Sequence, residues 1–161
     1  MSRAWLSLGS NIAPEANLRA AAAALRERFG EVLFSPVYRT PAVGFEGPDF
    51  LNAAAGIDTG LSPQALNDWL HALEEAQGRV RGGPRFASRP LDIDIVLYDE
   101  RVLSGAGNLQ LPRPELDQAF VLFPLAEIAP DVRVPGTGKT VAELYRGHSG
   151  QAGMTRLDWA L

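Results

Sequence analysis

Residues 91–99 read LDIDIVLYD, and this stretch decides the fold. Side chains two apart on a strand share a face, so Leu91, Ile93 and Ile95 point to a core while Asp92 and Asp94 line the other side. Working outward, the preceding 78–90 segment, GRVRGGPRFASRP, is a basic, glycine-rich loop. Before it, Ser62-Pro63 opens a helix carrying Leu66, Leu70 and Leu73 that ends near Gly78. Residues 50–58 (FLNAAAGID) read as a strand, and 40–49 as a long loop rich in turn residues. Residues 31–39 form another strand, with Pro36 predicting an edge or a bulge. Pro14 suits a first helical position; Leu18, Ala22, Leu25 and Phe29 follow at helical spacing, and Gly30 supplies the stop. A strand over 3–9 begins the chain.

The order strand, helix, strand, strand, helix, strand is the split βαβ pattern of a ferredoxin-like α+β sandwich, with an antiparallel sheet and helices on one face. Beyond residue 99 come C-terminal additions: a turn at 104–108, prolines at 112 and 114, and the apolar run FVLFPLAEIAP at 120–130. A short helix near 140–146 and a strand near 154–159 follow. With 161 residues the expectation is a single domain spanning 1–161.

Composition narrows the function. Apolar residues are 46% and charged residues 21%, values of an ordinary globular chain. Fifteen basic against 19 acidic residues leave a net charge of −4, so phosphate-neutralising nucleic-acid binding is not expected. There are no cysteines, which excludes disulfides, thiolate zinc sites and cysteine nucleophiles. No window resembles a membrane span, and the expectation is a cytoplasmic protein, monomeric, without nucleic-acid or membrane partners.

Asp92 and Asp94, with Cα atoms about 6.5–7 Å apart on a strand, are suited to one or two Mg²⁺ ions shared with phosphate oxygens. The alternative is a solvated strand face. Arg79, Arg81, Arg85 and Arg89 stand just upstream, and guanidinium forks bind phosphate bidentately. Together these are the footprint of nucleotide-dependent phosphoryl transfer. A nucleotidyltransferase that moves AMP would use similar residues. The stretch PGTGKT at 135–140 lacks the first glycine of a phosphate-binding loop, where Arg133 stands, and reads as a turn leading into a helix cap. His71 and Glu74 share a helix face. His148 reads as a surface residue.

The segments LGSN (8–11), YRTPAVG (38–44), PDFLNAA (48–54), QGRVR (77–81), SRPLDIDIVLYD (88–99) and AFVLFPLAEIAPD (119–131) resemble, in this order, the 6-hydroxymethyl-7,8-dihydropterin pyrophosphokinase family of folate biosynthesis. The resemblance implies a ferredoxin-like fold and transfer of the diphosphate of ATP, the co-substrate, to the pterin hydroxymethyl group. It implies that Asp92 and Asp94 hold two Mg²⁺ ions, and that Arg79, Arg81 and Arg89 act in catalysis on the migrating diphosphate. It also implies a pterin pocket of Phe50 and Phe120 for stacking, Asn52 for the pterin edge, and the Thr40, Pro41 and Val43 loop. His71, Glu74 and Arg113 fall on the ATP side; for His71 and Glu74, ordinary exposed helix positions are the alternative. Several positions depart from the family pattern: Arg113 stands where a histidine is expected and Gln118 where an arginine is expected, in a segment one residue shorter, while Phe86 replaces a tryptophan and Pro90 precedes Leu91. The alternative function is a pterin- or ATP-binding paralogue with weak transfer or none.

Overall fold

The computed structural model describes residues 1–42, 46–78, 90–150 and 153–161. The elements run β1 (Ser2–Ser10), α1 (Pro14–Phe29), β2 (Leu33–Phe34), β3 (Pro36–Thr40), β4 (Phe50–Thr59), α2 (Pro63–Ala76) and β5 (Asp92–Tyr98). They continue with β6 (Leu103–Ser104), β7 (Gln110–Leu111), a 3-10 turn at Pro114–Asp117, α3 (Ala119–Ile128), β8 (Arg133–Val134), β9 (Lys139–Thr140), α4 (Val141–Arg146) and β10 (Thr155–Ala160). The principal sheet has the order β10-β3-β4-β1-β5, with β2 also on β4, and every pairing is antiparallel. Strands β3-β4-β1-β5 therefore form the split βαβ arrangement of a ferredoxin-like sheet.

Local chemistry explains the boundaries. Pro14 opens α1, whose end is set by Gly30 at φ 81°. The Ser62 hydroxyl caps α2 by accepting the Ala65 N–H at 3.1 Å. Pro36 does mark a break: Ser35 separates β2 from β3, and its hydroxyl accepts the Ala54 N–H at 2.8 Å. PGTGKT turns β8 into β9, and Thr140 then caps α4 through a reciprocal bond with Glu143.

Alternation along the strands divides two cores. Ala4, Leu6 and Leu8 of β1, Ala53, Ala55 and Ile57 of β4, and Ile93 and Ile95 of β5 pack on Leu18 and Leu25 of α1 and Leu66 and Leu70 of α2. On the other face Trp5, Ala54, Val96 and Leu97 pack on Val121, Leu122 and Leu125 of α3. The C-terminal additions thus include a second layer over the sheet. A bulge makes the switch in β5: Leu6 pairs with Ile95 but Trp5 with Leu97, so Val96 is the extra residue and both Val96 and Leu97 join the second core.

Candidate active site

The face shared with α3 becomes polar towards the ends of β1, β4 and β5. Across the sheet, Tyr38, Asn52, Gly9 and Asp92 lie in one cross-strand row. The rows beside it pair Thr40 with Phe50, and Ala54 with Ser7 and Asp94. The two carboxylates and the Asn52 amide are thus delivered to one face by register alone.

Gly9 makes room for that amide. A Cβ on Gly9 would sit 2.5 Å from Asn52 Oδ1 and 3.7 Å from a Phe50 ring carbon. Asn52 Nδ2 donates to Thr40 Oγ1 at 2.6 Å, with both residues buried. One amide hydrogen is used there; among the described residues the second hydrogen and the carbonyl remain as an in-plane donor–acceptor pair. Phe50 stands half-buried at the start of β4, and Pro41 is exposed just beyond β3. Phe120 lies in the first turn of α3, half-buried against the second core, and α3 packs on β3 and β4. Val43, Arg79, Arg81, Arg85 and Arg89 lie outside the described residues.

On the β5 side, ligand oxygens of Glu74, Asp92 and Asp94 all lie within 4.8 Å of one another. Glu74 is fully buried, which corrects the exposed-helix alternative. Its position one turn after Leu70 on the apolar face of α2 explains why, and was the signal available in the sequence. Its carboxylate accepts the Ile93 N–H at 2.9 Å, tying α2 to the strand between the two aspartates. Burial, and then the neighbouring Asp92 charge, push the Asp94 carboxyl well above its ordinary range, against the opposing pull of Arg113. A compact set of hard oxygen donors that resist carrying their charges together suits a divalent cation.

Arg113 faces this cluster. Its backbone N–H donates to Val96 O at 3.0 Å, so the residue is fixed beside the β5 bulge. Its Nη2 lies 3.4 Å from Asp94 Oδ1 and its Nε 3.1 Å from Glu115 Oε2. Nothing in the sequence pattern linked Arg113 and Glu115 to Asp94. His71, half-buried, sits against the turn between β6 and β7: a Cβ on Gly107 would lie 3.1 Å from its ring. Asn67 Nδ2 holds the same turn, donating to Gly107 O at 3.0 Å. Gln118 is exposed, and its side-chain Nε2 donates to the neighbouring Asp117 Oδ1 at 3.2 Å.

His148 is more engaged than a plain surface residue. Its Nδ1 accepts the Gly150 N–H at 2.8 Å, so Nε2 carries the hydrogen donated to Asp117 O at 2.7 Å. Its ring meets Phe123 edge-on. It braces the segment ahead of α3.

The fold and the site define a class: a ferredoxin-like α+β domain with a carboxylate cluster suited to a divalent cation, beside a neutral amide pocket. A family model described as 7,8-dihydro-6-hydroxymethylpterin-pyrophosphokinase (HPPK) matches residues 5–130. The chain belongs to that family. It is 41% identical over 150 residues to the 2-amino-4-hydroxy-6-hydroxymethyldihydropteridine pyrophosphokinase of Pseudomonas aeruginosa, covering 89% of this chain and 90% of that one. It is 44% identical over 148 residues to the enzyme of that name from Methylorubrum extorquens, covering 89% and 91%. The fold is similar to that of wild-type Plasmodium falciparum HPPK-DHPS, with TM-score 0.73 and 13% identity over 91% of this chain. The chain spans only 41% of the length of that solved protein. Among the described residues no helix is long and apolar enough to cross a membrane.

Proposed function

We propose that this protein transfers the β,γ-diphosphate of ATP to the hydroxymethyl group of 6-hydroxymethyl-7,8-dihydropterin, giving AMP, in folate biosynthesis. The observation that carries the reading is the Glu74–Asp92–Asp94 cluster lying on the same sheet end as the Asn52–Thr40 amide pocket, in a chain of this family. The whole chain, 1–161, acts as one pyrophosphokinase domain.

The pterin edge pairs with the Asn52 amide, which Thr40 holds in orientation. Phe50 and Phe120 stack on its two faces, and the backbone of Thr40, Pro41 and Val43 closes the pocket. Asp92 and Asp94 hold two Mg²⁺ ions, which when bound supply neutralisation of the phosphate charge. His71, Glu74 and Arg113 form the ATP side, and Arg79, Arg81 and Arg89 bind the migrating phosphoryl oxygens. The hydroxymethyl oxygen forms a bond to the β-phosphorus as the bond from that phosphorus to the α,β-bridging oxygen breaks. AMP departs with the bridging oxygen, and the hydroxyl proton is lost to solvent. Catalysis is mostly positioning and electrostatics. The protein works as a cytoplasmic monomer on small molecules.

The test is a product assay with ATP, Mg²⁺ and the pterin, scoring AMP by chromatography beside an Asp94→Ala control. AMP formed only with pterin, and reduced roughly 1,000-fold or more in the control, supports the reading. Pyrophosphate as product would mark a nucleotidyltransferase, and pterin binding without AMP would mark a binding protein.

A further inference from the structure

We propose that Arg113 is an internal counter-cation for Asp94 that yields to nucleotide phosphate, so that the site takes its divalent cation together with the nucleotide and only weakly before it. The inference rests on the pyrophosphokinase reading of the cluster and deepens it.

The Arg113 side chain is 13% exposed and lies between two carboxylates, with Asp94 itself only 14% exposed. Neither contact is an aligned charge-assisted bond. The 3.4 Å separation from Asp94 exceeds the roughly 2.7–2.9 Å of such bonds. Glu115 Oε2, though 3.1 Å from Nε, accepts no hydrogen bond among the described residues. Among the described residues its side-chain hydrogen bond is a long one, Nη1 to Asn108 O at 3.5 Å, so the guanidinium is held chiefly by the charges of Asp94 and Glu115 and not by a bidentate fork, and a better acceptor can draw it off.

Arginine cannot clear the site by losing its proton. A divalent cation approaching Asp94 alone meets a fixed positive charge on one of its ligands. A nucleotide phosphate offers Arg113 the bidentate acceptor it lacks, and the move frees Asp94 for the metal. By linkage, each ligand then raises the affinity for the other.

The experiment titrates Mn²⁺ alone into the full-length protein, reading free Mn²⁺ by electron paramagnetic resonance, in wild type, Arg113→Met, Arg113→Lys and Asp94→Asn. A second titration measures the α,β-methylene analogue of ATP without metal. The expected result is Mn²⁺ binding on the order of tenfold tighter in Arg113→Met and close to wild type in Arg113→Lys. The analogue should bind more weakly to Arg113→Met. These opposite signs separate the proposal from a damaged site, which would weaken both ligands. Mn²⁺ binding in Arg113→Met that is unchanged or weaker, with Asp94→Asn still reducing it, overturns the proposal alone. Mn²⁺ binding untouched by Asp94→Asn overturns the metal reading of the cluster, and this proposal with it.

Discussion

The amide pocket and the carboxylate cluster share one sheet face but are built on opposite principles. In the pocket every group is neutral, and geometry satisfies it: Gly9 leaves the space, Thr40 accepts the amide hydrogen, and register aligns both. In the cluster three carboxylates lie within 4.8 Å of one another, with the Arg113 guanidinium 3.4 Å from Asp94. The pocket's amide is oriented as folded, whereas the cluster's like charges suit a cation. Polar groups that are fully paired rigidify a site, and like charges forced together store free energy for a ligand to release. A shape-reading half and a charge-handling half should therefore fail in different ways when altered.

The largest difference is expected from Gly9→Ala. The new Cβ would stand 2.5 Å from Asn52 Oδ1, which is the end of a side chain, so the amide rotates and the sheet survives. Stability should fall by no more than about 1–2 kcal/mol. Pterin affinity should drop roughly 10- to 100-fold as the in-plane pairs are lost, with affinity for the α,β-methylene ATP analogue unchanged. Calorimetric titration of each ligand separates the two effects. Equal losses for both ligands would mean that the halves are not independent.

What the sequence disclosed follows the same division. The sheet, α1 and α2 were legible because alternation and helical spacing repeat over many residues, with Pro14, Gly30 and Ser62-Pro63 as boundaries. The paired aspartates were legible because period two places them on one face. The apolar run at 120–130 was harder: a segment apolar all round has no period to reveal its type, and Pro124 argues against a helix. It forms α3 nonetheless, because Trp5, Ala54, Val96 and Leu97 offer an apolar sheet face to cover. The Val96 bulge was hidden because its neighbour is apolar too. Ion pairs such as Arg113 with Asp94 depend on how a hairpin folds back, which no local pattern encodes. Gly9 stood in plain view within LGSN, but its role needs the position of Asn52 across the sheet.

A pair of substitutions at Glu74 tests whether the cluster also has a structural tie. Glu74→Ala leaves the Ile93 N–H without its acceptor in a buried position, at a cost of about 1–3 kcal/mol. Glu74→Gln keeps an acceptor oxygen and removes one like charge near Asp94. Thermal unfolding in a metal chelator should show a clear loss for Ala and a midpoint at or above wild type for Gln. If both variants lose stability equally, the charge of Glu74 matters more than its bond to β5, and the tether loses its place as what links α2 to the aspartates.

The smallest effect is the most specific to the comparison. Burial first, and the Asp92 charge second, raise the Asp94 pKa in the folded state above its unfolded value. Its ionised form is thus disfavoured by folding. That cost is fully present above the raised folded-state pKa and disappears as the pH falls through it. Metal-free Asp94→Asn should accordingly be more stable than wild type at neutral pH, by a margin that Arg113 narrows because it already offsets part of the charge. The gap should close towards about pH 4, where the wild-type carboxyl is also neutral. Thr40→Val, in the pocket, should cost about the same amount at both pH values, since neither Thr40 nor Asn52 titrates. A variant that gains stability while it loses turnover would place the tension of this site in its charges, and a pH-independent loss at Thr40 would place the rigidity in its register.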